Sequence, residues 1–191
     1  MNEQYAIQVA CQEVAPAESF SANAYWDVNG YAIGFGFHNY ADGSAVQQGD
    51  TMTLDDANAL LVTTVTGFWQ AIKPCITANI NENQAAALID LAYNCGNGLV
   101  CKSTVLQLIN AGADEATISA QWEQTCTTAN GTYLSVLYNR RVDEVDMFFS
   151  TLSQNVTSYV QQNPIQILIG GAVLVTLTGY LIYRVTRKKT A

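Results

Sequence analysis

The sequence predicts an α+β fold: a small antiparallel β lobe and a larger helical lobe with a cleft between them, followed by one C-terminal transmembrane helix. Three observations carry this reading. Two short aromatic-rich runs, AYWDV and YAIGFGF, flank Asn29-Gly30, a strong hairpin signal. From Thr53 onward the apolar residues recur at helical spacing. Residues 165–183 contain no charge at all.

Taken in chain order, the first residues read as a helix ending near Glu18, and Glu3 and Glu13 within it, without a basic, apolar leader, do not suggest a secretory signal. The Asn29-Gly30 hairpin follows. Asp42-Gly43 predicts a second turn into a third short strand. Thr53 with Asp56 marks a capping-box start, and Leu54, Ala57, Leu60, Leu61, Thr64 and Phe68 form one apolar face up to Pro74. Asn81 with Gln84 opens a second helix whose stripe is Ala85, Leu88, Ile89, Ala92 and Tyr93. Further helices are expected over 104–110, 114–124 and 133–149. Trp69 and Trp122 read as core aromatics.

The domain boundaries follow composition: 1–149 as the globular domain, 150–163 as a polar stalk, 164–183 as the membrane helix and 184–191 as a basic tail. The 19 residues from Ile165 to Tyr183 would make about 28 Å of helix at 1.5 Å per residue, matching the hydrocarbon core. Asn163-Pro164 supplies a start, and Arg184, Arg187, Lys188 and Lys189 close the segment with positive charge.

Charge narrows the function classes. All 16 acidic residues precede residue 150, against Lys73, Lys102, Arg140 and Arg141, a net of −12 for the domain. Such a surface repels phosphate backbones, so no sequence-specific nucleic-acid binding is expected. The five cysteines, with His38 as the sole histidine, fit no zinc pattern, and no metal or cofactor is indicated. Cys95 and Cys101, on either side of Gly96-Asn97-Gly98, could close a small loop disulfide; reduced, buried cysteines are the equal alternative.

For chemistry, the domain offers carboxylates. Glycosidic bond hydrolysis generally uses one carboxylic acid to protonate the leaving oxygen and a second carboxylate to activate water or stabilise the cationic sugar. Glu18 at the end of the first helix and Asp27, two residues before Asn29 of the turn, are candidates for the two catalytic roles. Taken alone, both would be read as solvated surface acids.

The neighbouring residues change that reading. Glu18-Ser19-Phe20 with Ala24-Tyr25-Trp26-Asp27 resembles the catalytic Glu-Gly-Phe segment and aspartate of the phage-type lysozymes, the endolysins of glycoside hydrolase family twenty-four. Residues 29–36, NGYAIGFG, are similar to the glycine-patterned strand that follows. Residues 83–88 and 91–96, then Ser103-Thr104-Val105-Leu106, Asn110-Ala111-Gly112, Trp122, Arg140-Arg141 and Phe148, continue the family's order to Phe149.

The resemblance implies a lysozyme-like fold, bacterial peptidoglycan as substrate, cleavage of the β-1,4 bond between N-acetylmuramic acid and N-acetylglucosamine, Glu18 as the acid and Asp27 as the second carboxylate. It also implies that Arg140 or Arg141 approaches Glu18. The family threonine that helps hold water is matched here by Ala32, which keeps a lytic transglycosylase open as an alternative, with Tyr31 or Ser44 as substitute hydroxyls. His38, one place along from the family histidine, reads as a loop residue. Together with the anchor, the resemblance implies a single-pass enzyme of the internal membrane of a phage virion, otherwise of the host inner membrane. The lipid bilayer and capsid proteins would be its further partners, and a non-catalytic virion protein on the same fold is a third reading.

Overall fold

The computed structural model describes residues 1–150. The predicted stalk, spanning helix and basic tail lie outside the described residues, and no helix among those described is long and apolar enough to cross a membrane.

Helix α1 (Glu3–Glu18) is capped by Asn2, whose side chain accepts from the Tyr5 amide, and it buries Ala6, Ala10 and Val14. At Ser19 the chain turns with φ 61° and ψ 153°, a conformation natural to glycine, and enters strand β1 (Ser21–Asp27). β1 pairs antiparallel with β2 (Gly30–Gly34), with Asp27 opposite Gly30, Trp26 opposite Tyr31 and Tyr25 opposite Ala32. The hairpin is where Asn29-Gly30 predicts it, one residue out of register: Val28 and Asn29 form the loop and Gly30 takes the positive φ of 147° as the returning strand begins.

The third strand does not form. Asp42-Gly43 does make a turn, tightened by Ser44 donating to Asp42, but the flanking residues share only the single bridge Asn39↔Ala45. A second two-stranded ribbon, β3 (Thr128–Ala129) with β4 (Thr132–Tyr133), closes around Asn130-Gly131, both at positive φ (50° and 76°), as a type I′ turn requires.

Helix α2 (Leu54–Ile72) starts at Thr53, whose hydroxyl accepts from the Asp56 amide, and passes into a 3₁₀ turn, Lys73–Cys75, at Pro74. Helix α3 (Glu82–Cys95) carries the full capping box: the Asn81 side chain accepts from the Gln84 amide while the Gln84 side chain accepts from the Asn81 amide. Asn83 and every residue from Ala85 to Ala92 are buried, so this helix is the axis of the core rather than a half-exposed element. Around it pack α1, α2, α4 (Asn97–Lys102) and α7 (Ser135–Phe149), while α5 (Thr104–Ala111) and α6 (Glu115–Trp122) complete the lobe. Trp69 and Trp122 are core residues, as expected.

Cys101 is joined to Cys75, not to Cys95. The 3₁₀ turn at Pro74 delivers Cys75 beside α4. Cys95 is instead occupied at the end of α3, where its sulfur accepts from Arg141 Nη1 at 3.0 Å.

Candidate active site

Glu18 is the last residue of α1, so its position is set by the helix end and by the turn at Ser19. Its side chain is about three-quarters buried (24% exposed), and Oε1 accepts from Arg140 Nη1 at 2.5 Å. Oε2 faces the glycine-rich turn after β2: a Cβ on Gly36 would stand 3.9 Å from it, and Gly36 itself sits at φ 87°. At this positive φ glycine is the unstrained residue, and a Cβ there would come into ordinary contact with the carboxyl.

Arg140 comes from α7 and joins three helices. Nη2 donates to Asp90 Oδ1 of α3 at 2.6 Å while Nη1 holds Glu18 of α1. Burial by itself would weaken the charge on Arg140, but Asp90 and Glu18 outweigh it and raise its pKa above the ordinary arginine value. Below lies a second ion pair, wholly buried: Arg141 Nη2 donates to Glu144 Oε1, whose Oε2 accepts from Trp122 Nε1 at 2.6 Å. Burial first, then the Asp90 charge, push the Glu144 carboxyl well above its usual range, with Arg141 and the Trp122 bond pulling the other way.

Asp27 closes β1 at the mouth of the hairpin and is 45% exposed. Its Oδ2 is 3.3 Å from His38 Nε2, and His38 Nδ1 lies 3.1 Å from the carbonyl oxygen of Tyr31. Tyr25, two residues before Asp27, feels both candidate acids: burial, then Asp27, then Glu18 raise its phenol. Tyr93 of α3, half-buried and donating to the Phe35 carbonyl at 2.9 Å, is raised by desolvation and then by Glu18. Tyr25 therefore lies within electrostatic reach of both carboxylates, and Tyr93 within reach of Glu18. The groove of about 490 Å³ beside α2, lined by Tyr40, Thr51, Met52, Asp56 and Leu60 among others, contains neither carboxylate.

Ala32, fully buried, is the cross-strand partner of Tyr25. Neither substitute hydroxyl is hydrogen-bonded to Asp27. Tyr31 pairs with Trp26 and packs edge-on against it at 5.3 Å, on the strand face opposite Asp27, and the Ser44 hydroxyl is spent on Asp42 at 2.6 Å. Asp90, Glu144 and the His38 contact were not foreseen. Asp90 carried a signal, since a carboxylate in the middle of AALIDLAY needs a cation to be buried.

A helical body with an acid at the junction of its first helix and a β hairpin, steadied by an arginine from its last helix, is the layout of a lysozyme fold. Solved structures agree. The muramidase domain of SpmX from Asticaccaulis excentricus superposes with a TM-score of 0.67 over 75% of this chain and 97% of that one, at 22% identity, a likeness of fold. The endolysin of Escherichia coli O157:H7 phage FAHEc1 gives 0.66 at 25% identity, covering 78% of this chain and 94% of that one. The endolysin of Salmonella phage P22 is 31% identical over 130 residues, 66% of this chain and 86% of the relative. That of Bacillus phage PZA is 30% identical over 129 residues, 66% of this chain. The chain spans about half the length (47%) of this Bacillus phage relative. The chain belongs to the phage lysozyme family, whose model matches residues 15–144.

Proposed function

We propose that this protein is a muramidase that hydrolyses the β-1,4 bond between N-acetylmuramic acid and N-acetylglucosamine in bacterial peptidoglycan. The observation that carries the reading is Glu18, fixed by Arg140 at the end of the first helix, with Asp27 at the end of the adjoining hairpin strand, inside a phage lysozyme fold. Glu18 is the general acid: with Oε1 held by Arg140, Oε2 is the oxygen free to present a proton to the leaving sugar. Asp27 orients the attacking water and faces the positive charge that develops on the sugar ring. Ala32, where the family has threonine, favours one second reading, a lytic transglycosylase in which the sugar's own hydroxyl attacks.

Residues 165–183 span a bilayer in this reading, and the basic tail fixes the end of the span. Anchoring confines an acidic enzyme, which gains nothing from attraction to an anionic wall, at the surface where it works. The internal membrane of a phage virion, assembled with capsid proteins, is the setting that fits an anchored wall-opening enzyme. The Cys75–Cys101 bond suits service outside a reducing cytoplasm.

Full-length protein made in bacteria should sediment with membranes after an alkaline wash, and its detergent extract should clear a suspension of purified peptidoglycan. Protein released by the wash would mean that residues 165–183 do not span a bilayer. An extract that leaves the suspension turbid would remove the enzyme.

A further inference from the structure

We propose that Cys95 and Cys126 form a second disulfide, closed by thiol–disulfide exchange with an external disulfide, that fastens the turn after α6 to the end of α3. Of the five cysteines, Cys75 and Cys101 are joined to each other, which leaves Cys11, Cys95 and Cys126 as thiols. Two of these three are neighbours. The Cys126 thiol is hydrogen-bonded to that of Cys95, although the two residues belong to separate elements with α4, α5 and α6 between them.

Each sulfur is held in place by its surroundings. Cys95 is the last residue of α3, and its sulfur accepts from Arg141 Nη1 of α7 at 3.0 Å. Cys126 lies at φ 54° in the turn that leads from α6 to β3. That turn is pinned on both sides: the Thr125 amide donates to the Trp122 carbonyl at 2.8 Å, and the Thr127 carbonyl accepts from the Leu134 amide at 2.9 Å. Trp122 in turn donates to Glu144, the buried partner of Arg141. The residue that meets Cys95 and the residue that anchors the Cys126 turn are therefore bonded to each other. The packing of α3, α6 and α7 sets the two sulfurs side by side with no bond yet between them.

The chemistry is a two-electron oxidation. One cysteine, as thiolate, attacks a sulfur of the external disulfide to give a mixed disulfide, and the other then displaces the external thiol. Two protons and two electrons pass to the oxidant, which leaves as two thiols. An environment that closes Cys75–Cys101 supplies such an oxidant. Desolvation raises the Cys95 thiol well above its usual range, with Arg141 pulling the other way, so closure belongs to folding, before Cys95 leaves water. Cys11 of α1, its thiol pushed up to about 12 by desolvation, is the one left over. The bond closes a loop that holds α4, α5 and α6 to the end of the core helix, beside Arg141 and next to the Arg140 that clamps Glu18.

The test refolds the full chain in detergent with oxidised and reduced glutathione, quenches it with acid, then unfolds it and blocks it with N-ethylmaleimide. The expected result is one maleimide per chain, on Cys11, and proteolytic fragments joined through Cys95 and Cys126 beside those joined through Cys75 and Cys101. Cys11→Ser should take up none. Three or five maleimides on the wild type, or Cys126 joined to any cysteine but Cys95, would overturn the proposal. When oxidised, the wild type should melt about 5–10 °C above Cys126→Ser, and the gap should vanish once both are reduced. A gap of the same size in both states, or none in either, would overturn the fastening. Should Cys126→Ser fail to fold, the wild-type thiol count decides alone.

Discussion

Glu18→Gln is expected to slow peptidoglycan cleavage by about 10²–10⁴-fold, the usual contribution of a general acid, while leaving the fold intact. The substitution is nearly isosteric, and a glutamine carbonyl can still accept from Arg140 Nη1 in the position that Oε1 occupies. What is lost is the transferable proton on the oxygen facing Gly36. A thermal melt within a few degrees of wild type would show that the loss is chemical. A rate within threefold of wild type would remove Glu18 from the mechanism.

The largest stability effect is expected one layer below the site. Glu144→Ala leaves Arg141 as a fully buried, uncompensated cation and takes the acceptor from Trp122 Nε1. Removing one member of a buried pair costs about 3–5 kcal/mol, roughly 10–15 °C of Tm for a domain this size. Denaturant unfolding at pH 7 measures it, and a change below about 1 kcal/mol would mean that water or a rearranged Asp90 compensates. The sign with pH also follows. Because burial raises the folded Glu144 pKa above its unfolded value of 4.5, the folded state holds that proton more tightly, and this group contributes a loss of stability as pH rises from 4.5 through the folded value. Glu144→Gln should flatten the stability curve in that window and cost less than Ala, since its amide oxygen still serves Trp122 or Arg141.

How much of this was legible depended on whether the signal was local. The α3 start was readable because both halves of its capping box lie within Asn81 to Gln84, and both bonds form. The hairpin was readable at Asn29-Gly30 for the same reason, although the loop slipped by one residue because Gly30 serves the strand start. Asn130-Gly131 carries the same signal but sits among polar residues with no alternating strands, so the sequence does not predict its short ribbon. Helix α4 has six residues, too few for a period.

The two carboxylates of the proposed site stand out only through the family resemblance, since nothing local distinguishes Glu18 from a solvated acid. The site's support is not local. Arg140, Asp90 and Glu18 lie on three helices, and the contact among them exists only after α1, α3 and α7 pack. The Cys75–Cys101 pairing is of the same kind, 26 residues apart and made by the placement of a 3₁₀ turn beside α4. His38, one place from the family position, could be matched to Asp27 only by the β2 turn that carries it there.

If the enzyme is a hydrolase, Asp27 must direct water to the sugar with no hydroxyl at Ala32 to help it. Mass spectrometry of the fragments released from purified peptidoglycan by the full chain tests this most directly. Hydrolysis predicts fragments ending in N-acetylmuramic acid with a free reducing end, whereas fragments ending predominantly in the anhydro sugar, lighter by one water, would contradict it.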